Sequence, residues 1–177
     1  MFLFIKHKIA TLFPGYFALV MATGALSIGS SLLGFHTFAN ILVYVNTICY
    51  IILWLLTFSR LVFYSKNLIE DLYSHTLGPG FFTLVAGTCV YGSQLVVVSG
   101  LTYIPTILWA VGIFLWLVVM YTFFTAVTIR RDKPNLAEGI NGAWLIAAVA
   151  TQSVSVLGTL LSAQVESGRG IILFFTL

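Results

Sequence analysis

Charge is what this sequence has least of. Its 177 residues include 8 Lys/Arg and 5 Asp/Glu, 7% of the chain, whereas soluble domains carry roughly 25% charged residues. A water-facing surface cannot be built from that stock, which excludes an ordinary soluble enzyme, a secreted scaffold and a disordered tail. Cysteine is nearly missing too. Cys49 and Cys89 lie inside apolar stretches and match no disulfide or metal spacing. Enzyme signatures are absent: there is no His-Glu-x-x-His, no phosphate-binding glycine loop and no cofactor motif. His7, His36 and His75 fall in stretches that read as loops, where a solvated role is expected. The net charge of +3 is too sparse for a nucleic-acid surface and reports loop bias instead.

What the chain has in quantity is apolar sequence, 60% of its residues. Five uncharged stretches reach the roughly 20 residues that a helix needs to cross a bilayer: Phe13–Leu33, Ala39–Ser59, Pro79–Ser99, Pro105–Thr128 and Gly142–Ser162. A sixth begins at Gly170. The runs are too long and too little alternating for barrel strands, so the expected class is an all-α integral membrane protein. Lys6, Lys8, Arg60, Lys66, Arg130, Arg131 and Lys133 precede the first span or follow the second and fourth. The positive-inside bias therefore predicts a cytoplasmic N-terminus with tight outward turns at Gly34–Phe38 and Gly100–Ile104, and the plasma membrane is the expected location.

The spans repeat. Pro14-Gly15-Tyr16-Phe17-Ala18-Leu19-Val20 returns as Pro79-Gly80-Phe81-Phe82-Thr83-Leu84-Val85, and in that register Thr23 falls on Thr88 and Ser27 on Gly92. A weaker copy starts at Asn141-Gly142-Ala143-Trp144, with Thr151 in the place of Thr88. The unit is a two-span hairpin of roughly 64 residues, giving one membrane domain with hairpins near 13–64, 78–129 and 141–177, the last incomplete. The repeat argues against reading the first span as a cleaved signal peptide. Because each unit holds two spans, odd-numbered helices run parallel. They are dense in Gly, Ala, Ser and Thr, whereas spans two and four carry Tyr44, Tyr50, Trp54, Phe58, Trp109, Phe114, Trp116, Tyr121, Phe123 and Phe124. Small residues favour close packing inside and bulky aromatics favour lipid, so odd helices are expected inside and even helices outside.

The segments Pro14-Gly15-Tyr16-Phe17-Ala18-Leu19-Val20-Met21-Ala22-Thr23-Gly24 and Gly142-Ala143-Trp144-Leu145-Ile146-Ala147-Ala148-Val149-Ala150-Thr151-Gln152-Ser153-Val154 resemble the tellurite-resistance/dicarboxylate transporter family. That family includes the slow-type anion channels and TehA-like proteins and forms the voltage-dependent anion channel superfamily. The resemblance implies a ten-helix fold of five tandem hairpins whose odd helices surround a pore, assembled as a trimer. Five such units need about 320 residues, so the chain reads as an amino-terminal fragment. The family's gating phenylalanine belongs to a ninth helix, and no residue here inherits its role.

With no ionisable residue inside the expected spans, a proton relay or voltage sensor has nothing to work with. Hydroxyls, amides and helix dipoles remain, and these suit anions. The candidate pore-lining residues are Thr23 and Ser27, Thr88 and Gly92, Thr151 and Ser155, each pair four apart on one helix face, with Gln152 beside the last. Hydrogen bonding to their own or a neighbouring helix is the alternative role. Phe17, Phe82 and Trp144 sit at like positions in the odd spans and are candidates for a constriction, with packing as the alternative. The expected function is transmembrane transport of small anions, inorganic or dicarboxylate, through a channel-like or uniport path, with lipid and anions as partners and no cofactor. A non-transporting membrane fragment or accessory subunit is one alternative. A proton-coupled dicarboxylate or tellurite exporter is another, disfavoured by the missing intramembrane carboxylates.

Overall fold

The computed structural model describes residues 11–129 and 142–164. Among them there is no strand, and five helical segments are long and apolar enough to cross a membrane. The helices are α1 (Ala18–Leu32), α2 (His36–Phe63), α3 (Ser65–Leu72), α4 (Phe82–Ser99), α5 (Tyr103–Ile129) and α6 (Ile146–Ser162). Each odd span opens with one 3-10 turn: Pro14–Phe17 before α1, Gly78–Phe81 before α4 and Gly142–Leu145 before α6. Pro14 and Pro79 lie in the first turn of their spans, where a missing N–H costs nothing and φ is already helical. The sixth expected span, the basic cluster at 130–133, Lys6, Lys8 and His7 lie outside the described residues.

Tight turns end the first and third spans with left-handed glycines, Gly34 at φ 86° and Gly100 at φ 64°. At Gly34 the pattern is a Schellman cap. Phe35 N–H donates to the Ser30 carbonyl at 2.9 Å and Gly34 N–H to the Ser31 carbonyl at 3.1 Å, so two orphan carbonyls are satisfied before the chain reverses.

The even helices exceed the extents read from hydropathy. α2 has 28 residues and α5 has 27, roughly 40 Å each at 1.5 Å per residue, against a hydrocarbon layer of about 30 Å. Their ends therefore reach past the apolar core, and Arg60 stands in the last turn of α2 rather than in a loop. Part of the expected second loop is helical as well. α3 is short and amphipathic, with Leu68 and Leu72 packed on the core and Lys66 and Glu70 exposed.

α4 is the centre. It packs against α1, α2, α5 and α6, and 83% of its span's apolar stretch is buried, against 17% and 22% for the second and fourth spans. Its run of small residues lets four helices approach it. The aromatics of the even helices divide between two directions. Tyr44, Phe58, Phe114 and Tyr121 face outward, each more than 60% exposed, while Trp109 and Phe123 turn inward and are buried. Phe123 meets Phe82 edge-on at 5.6 Å between ring centroids.

Candidate functional site

Three helix N-termini meet at one end of the molecule. The turn before α4 touches the turns before α1 and α6, and Thr83 Oγ1 donates to the Pro14 carbonyl at 3.0 Å, joining the first two. A Cβ on Gly80 would lie 3.2 Å from the Gly15 amide nitrogen, so any larger residue would have to ease the two turns apart by a few tenths of an ångström. Each N-terminus carries roughly half a positive charge. Neither the turns nor the first turns of α1, α4 and α6 contain an acidic residue.

Arg60 buttresses this end. Its side chain is 3% exposed and pairs with Asp71 of α3 at 2.5 Å, while its other terminal nitrogen donates to the Leu12 carbonyl at 2.7 Å. One guanidinium thus ties α2, α3 and the segment leading into Pro14 together, which is the forked geometry that arginine supplies and lysine does not. His75, expected in solvent, is 9% exposed, with its ring 6.4 Å from Trp144. The fold carries the loop after α3 back under the start of α6.

The residues singled out by spacing take several positions. Ser27 is wholly buried and donates to the Ala39 carbonyl at 2.8 Å, closing the α1–α2 hairpin. Thr88 is wholly buried, donating to the Leu84 carbonyl at 2.7 Å and accepting from the Tyr50 hydroxyl of α2 at 3.2 Å. Gly92 faces α6, where a Cβ would lie 2.6 Å from Leu157 Cδ2. Thr151 donates to the Ala147 carbonyl at 3.0 Å and accepts from the Trp116 indole N–H of α5 at 2.9 Å. Gln152 is exposed; Thr23 and Ser155 are half-buried. Phe17 lies edge-on to Tyr50 and Trp54, and Trp144 edge-on to Phe123 and Phe124, so these rings and Phe82 pack against the even helices.

Sequence spacing missed the deepest polar contact. Asn46 of α2 and Gln94 of α4 are both wholly buried. Asn46 Nδ2 donates to Gln94 Oε1 at 2.6 Å and to the Val20 carbonyl of α1 at 3.2 Å, so one amide links three helices. Beside it Thr47 and Tyr91 share a hydrogen bond at 2.9 Å, and Tyr91 stacks on Tyr50 with centroids 4.6 Å apart. Asn46 Oδ1 and Gln94 Nε2 are buried without a partner. The available signal was an amide within an otherwise apolar span, which is costly unless it is answered by another polar group.

Among known proteins, the chain is 26% identical over 155 residues to an uncharacterized transporter of Methanocaldococcus jannaschii, covering 82% of this chain and 44% of that one. The chain thus spans less than half the length of this curated relative. No solved structure matches it significantly. The family model of the voltage-dependent anion channels matches residues 11–177, nearly the whole chain, and with the parallel helical hairpins this establishes that the protein belongs to the voltage-dependent anion channel family.

Proposed function

We propose that this protein contributes one side of a membrane pore for small anions, inorganic or dicarboxylate, with α1, α4 and α6 as its wall. The observation that carries the reading is the convergence of three parallel helix N-termini, free of acidic side chains, on one end of the molecule. Their dipoles add to a positive potential at that mouth, which draws anions and repels cations. Within the wall no ionised group has to be neutralised, so a passing anion meets only dipoles, hydroxyls and apolar surface.

The direction of the wall follows from how α4 is surrounded. Gly24 of α1 packs at Val90 and Phe17, in the turn before α1, at Gly87; α2 packs at Thr88 and Tyr91, and α5 and α6 at Cys89 and Gly92. The side turned away from α2 is Ala86, Val90, Ser93 and Val97, in which Ala86 and Ser93 are buried while Val97 and Val90, the latter at the α1 edge, are half-buried. These residues recur at i, i+4, i+7 and i+11, one helix face. We assign the conducting side of α4 to this face. Thr88, Thr151, Ser27 and Gly92 then support the wall from behind, and Gln152 contributes an exposed amide.

Anion flux into liposomes containing the protein tests the reading. Val90→Trp is expected to abolish most of the flux, and Thr88→Val to leave conduction per folded molecule unchanged. If chloride, nitrate and dicarboxylates all fail to cross the unmodified protein, the transport reading falls and an accessory role takes its place. If Thr88→Val alone blocks, the wall faces the other way.

A further inference from the structure

Arg60 breaks the usual rule of helix ends. Helix N-termini are positive and gather carboxylates, yet the turns before α1, α4 and α6 hold none, and the buried ion packed against the first two is a cation. Its side chain borders a pocket of about 10 Å³ together with Pro14 and Phe17 of the turn before α1 and Phe81 of the turn before α4. Such a space has room for one water molecule at most, so no layer of bulk solvent separates the charge from the two turns. The hydrogen bond to the Leu12 carbonyl at 2.7 Å holds it at the entry to α1. A tie made for stability alone would cost less here with a neutral or acidic group.

The counter-ion does not cancel this charge at the mouth. The Asp71 side chain is 23% exposed and that of Arg60 only 3%. Water therefore screens the carboxylate more than the guanidinium, and the pair is a dipole whose positive end is turned toward the helix N-termini. The other ionised side chains described on α3, Lys66 and Glu70, are exposed and screened in the same way.

We propose that Arg60 is a specificity-determining residue of the mouth: its charge adds to the three helix dipoles and sets the preference for anions over cations. The inference rests on reading this end as an anion entrance, and it adds an electrostatic role to the clamp that Arg60 makes. A unit charge one helix diameter away, about 10 Å, at an effective dielectric constant near 20 changes the local concentration of a monovalent anion on the order of tenfold. Asp71 separates the two roles. A clamp that only holds is weakened by losing its partner, whereas a charge that attracts is unmasked.

Thiol chemistry at Gly142 reads the potential without requiring transport. Gly142 is exposed in the turn before α6, and a Cβ there meets nothing within 4 Å, so Gly142→Cys fits. Its modification by a sulfonate-bearing and by a trimethylammonium-bearing methanethiosulfonate is followed at that residue by mass spectrometry in low salt. Each rate is divided by the rate with a free thiol. The anion-to-cation ratio is expected to exceed one and to fall about tenfold in Arg60→Gln, which keeps a donor for the Leu12 carbonyl and removes the charge. It is expected to hold in Arg60→Lys, to rise severalfold in Asp71→Asn, and to converge among all variants at about 1 M salt, where the Debye length is about 3 Å. A ratio unmoved by Arg60→Gln, or lowered by Asp71→Asn, overturns the proposal. Anion flux through the unmodified protein is a separate measurement: its failure removes the transport reading, while a ratio that follows the charge still supports the role of Arg60.

Discussion

Replacing Arg60 by alanine is expected to lower the stability of the folded protein by about 3 kcal/mol, the lower end of the range for breaking a buried ion pair. The lower end applies because Asp71 keeps 23% of its side chain exposed and rehydrates in part. The loss has two components. Asp71 is left beside an apolar core, and the Leu12 carbonyl loses its donor. The thermal midpoint in detergent is then expected to drop by roughly 10 °C for a chain of this size. Arg60→Lys separates the components, since an ammonium keeps the charge near Asp71 but cannot span both acceptors. It is expected to fall between wild type and Arg60→Ala. An Arg60→Ala midpoint equal to wild type contradicts the clamp.

The second large effect belongs to Asn46 and Gln94. Asn46→Leu leaves both polar atoms of Gln94 buried without a partner and removes the donor to Val20. Gln94→Met leaves Asn46 bonded only to Val20. Each single change is expected to cost about 1–2 kcal/mol, between the penalty for an orphaned buried group and the average near 0.6 kcal/mol for hydrogen bonds between membrane helices. The double variant is expected to recover most of the loss, because two apolar side chains of similar shape leave nothing unsatisfied. Thermal unfolding of the four proteins decides the matter. Strictly additive losses show that the amides do not act as a pair.

Hydropathy read the spans closely because the property it measures, freedom from charge over about 20 residues, is the property the bilayer selects. It read helix ends poorly for the same reason. His36 and Arg60 fall within one helix, since a helix continues into the interface as long as its ends find partners, and Arg60 finds Asp71. α3 escaped notice because eight residues of mixed polarity carry no span signal. The repeat was legible in Thr23, Thr88 and Thr151, but their direction was not. Periodicity says which residues share a face and says nothing about which neighbour that face meets. That answer lay in Tyr50 and Trp116, on other helices. The amide pair was invisible for a related reason. Asn46 and Gln94 are 48 residues apart and do not recur in the second hairpin, where Gly112 meets Cys89 and Gly92 meets Leu157.

The central place of α4 also sets how freely different parts of this protein can vary. From Phe82 to Val96 every side chain but Val90 is buried, so a random substitution there collides with one of four neighbouring helices. Along α2 and α5 most positions look outward and accept any apolar residue that lipid accepts. A saturation library scored for folded protein would therefore show one intolerant helix flanked by two permissive ones, and relatives of this chain would drift apart fastest in their bulkiest segments.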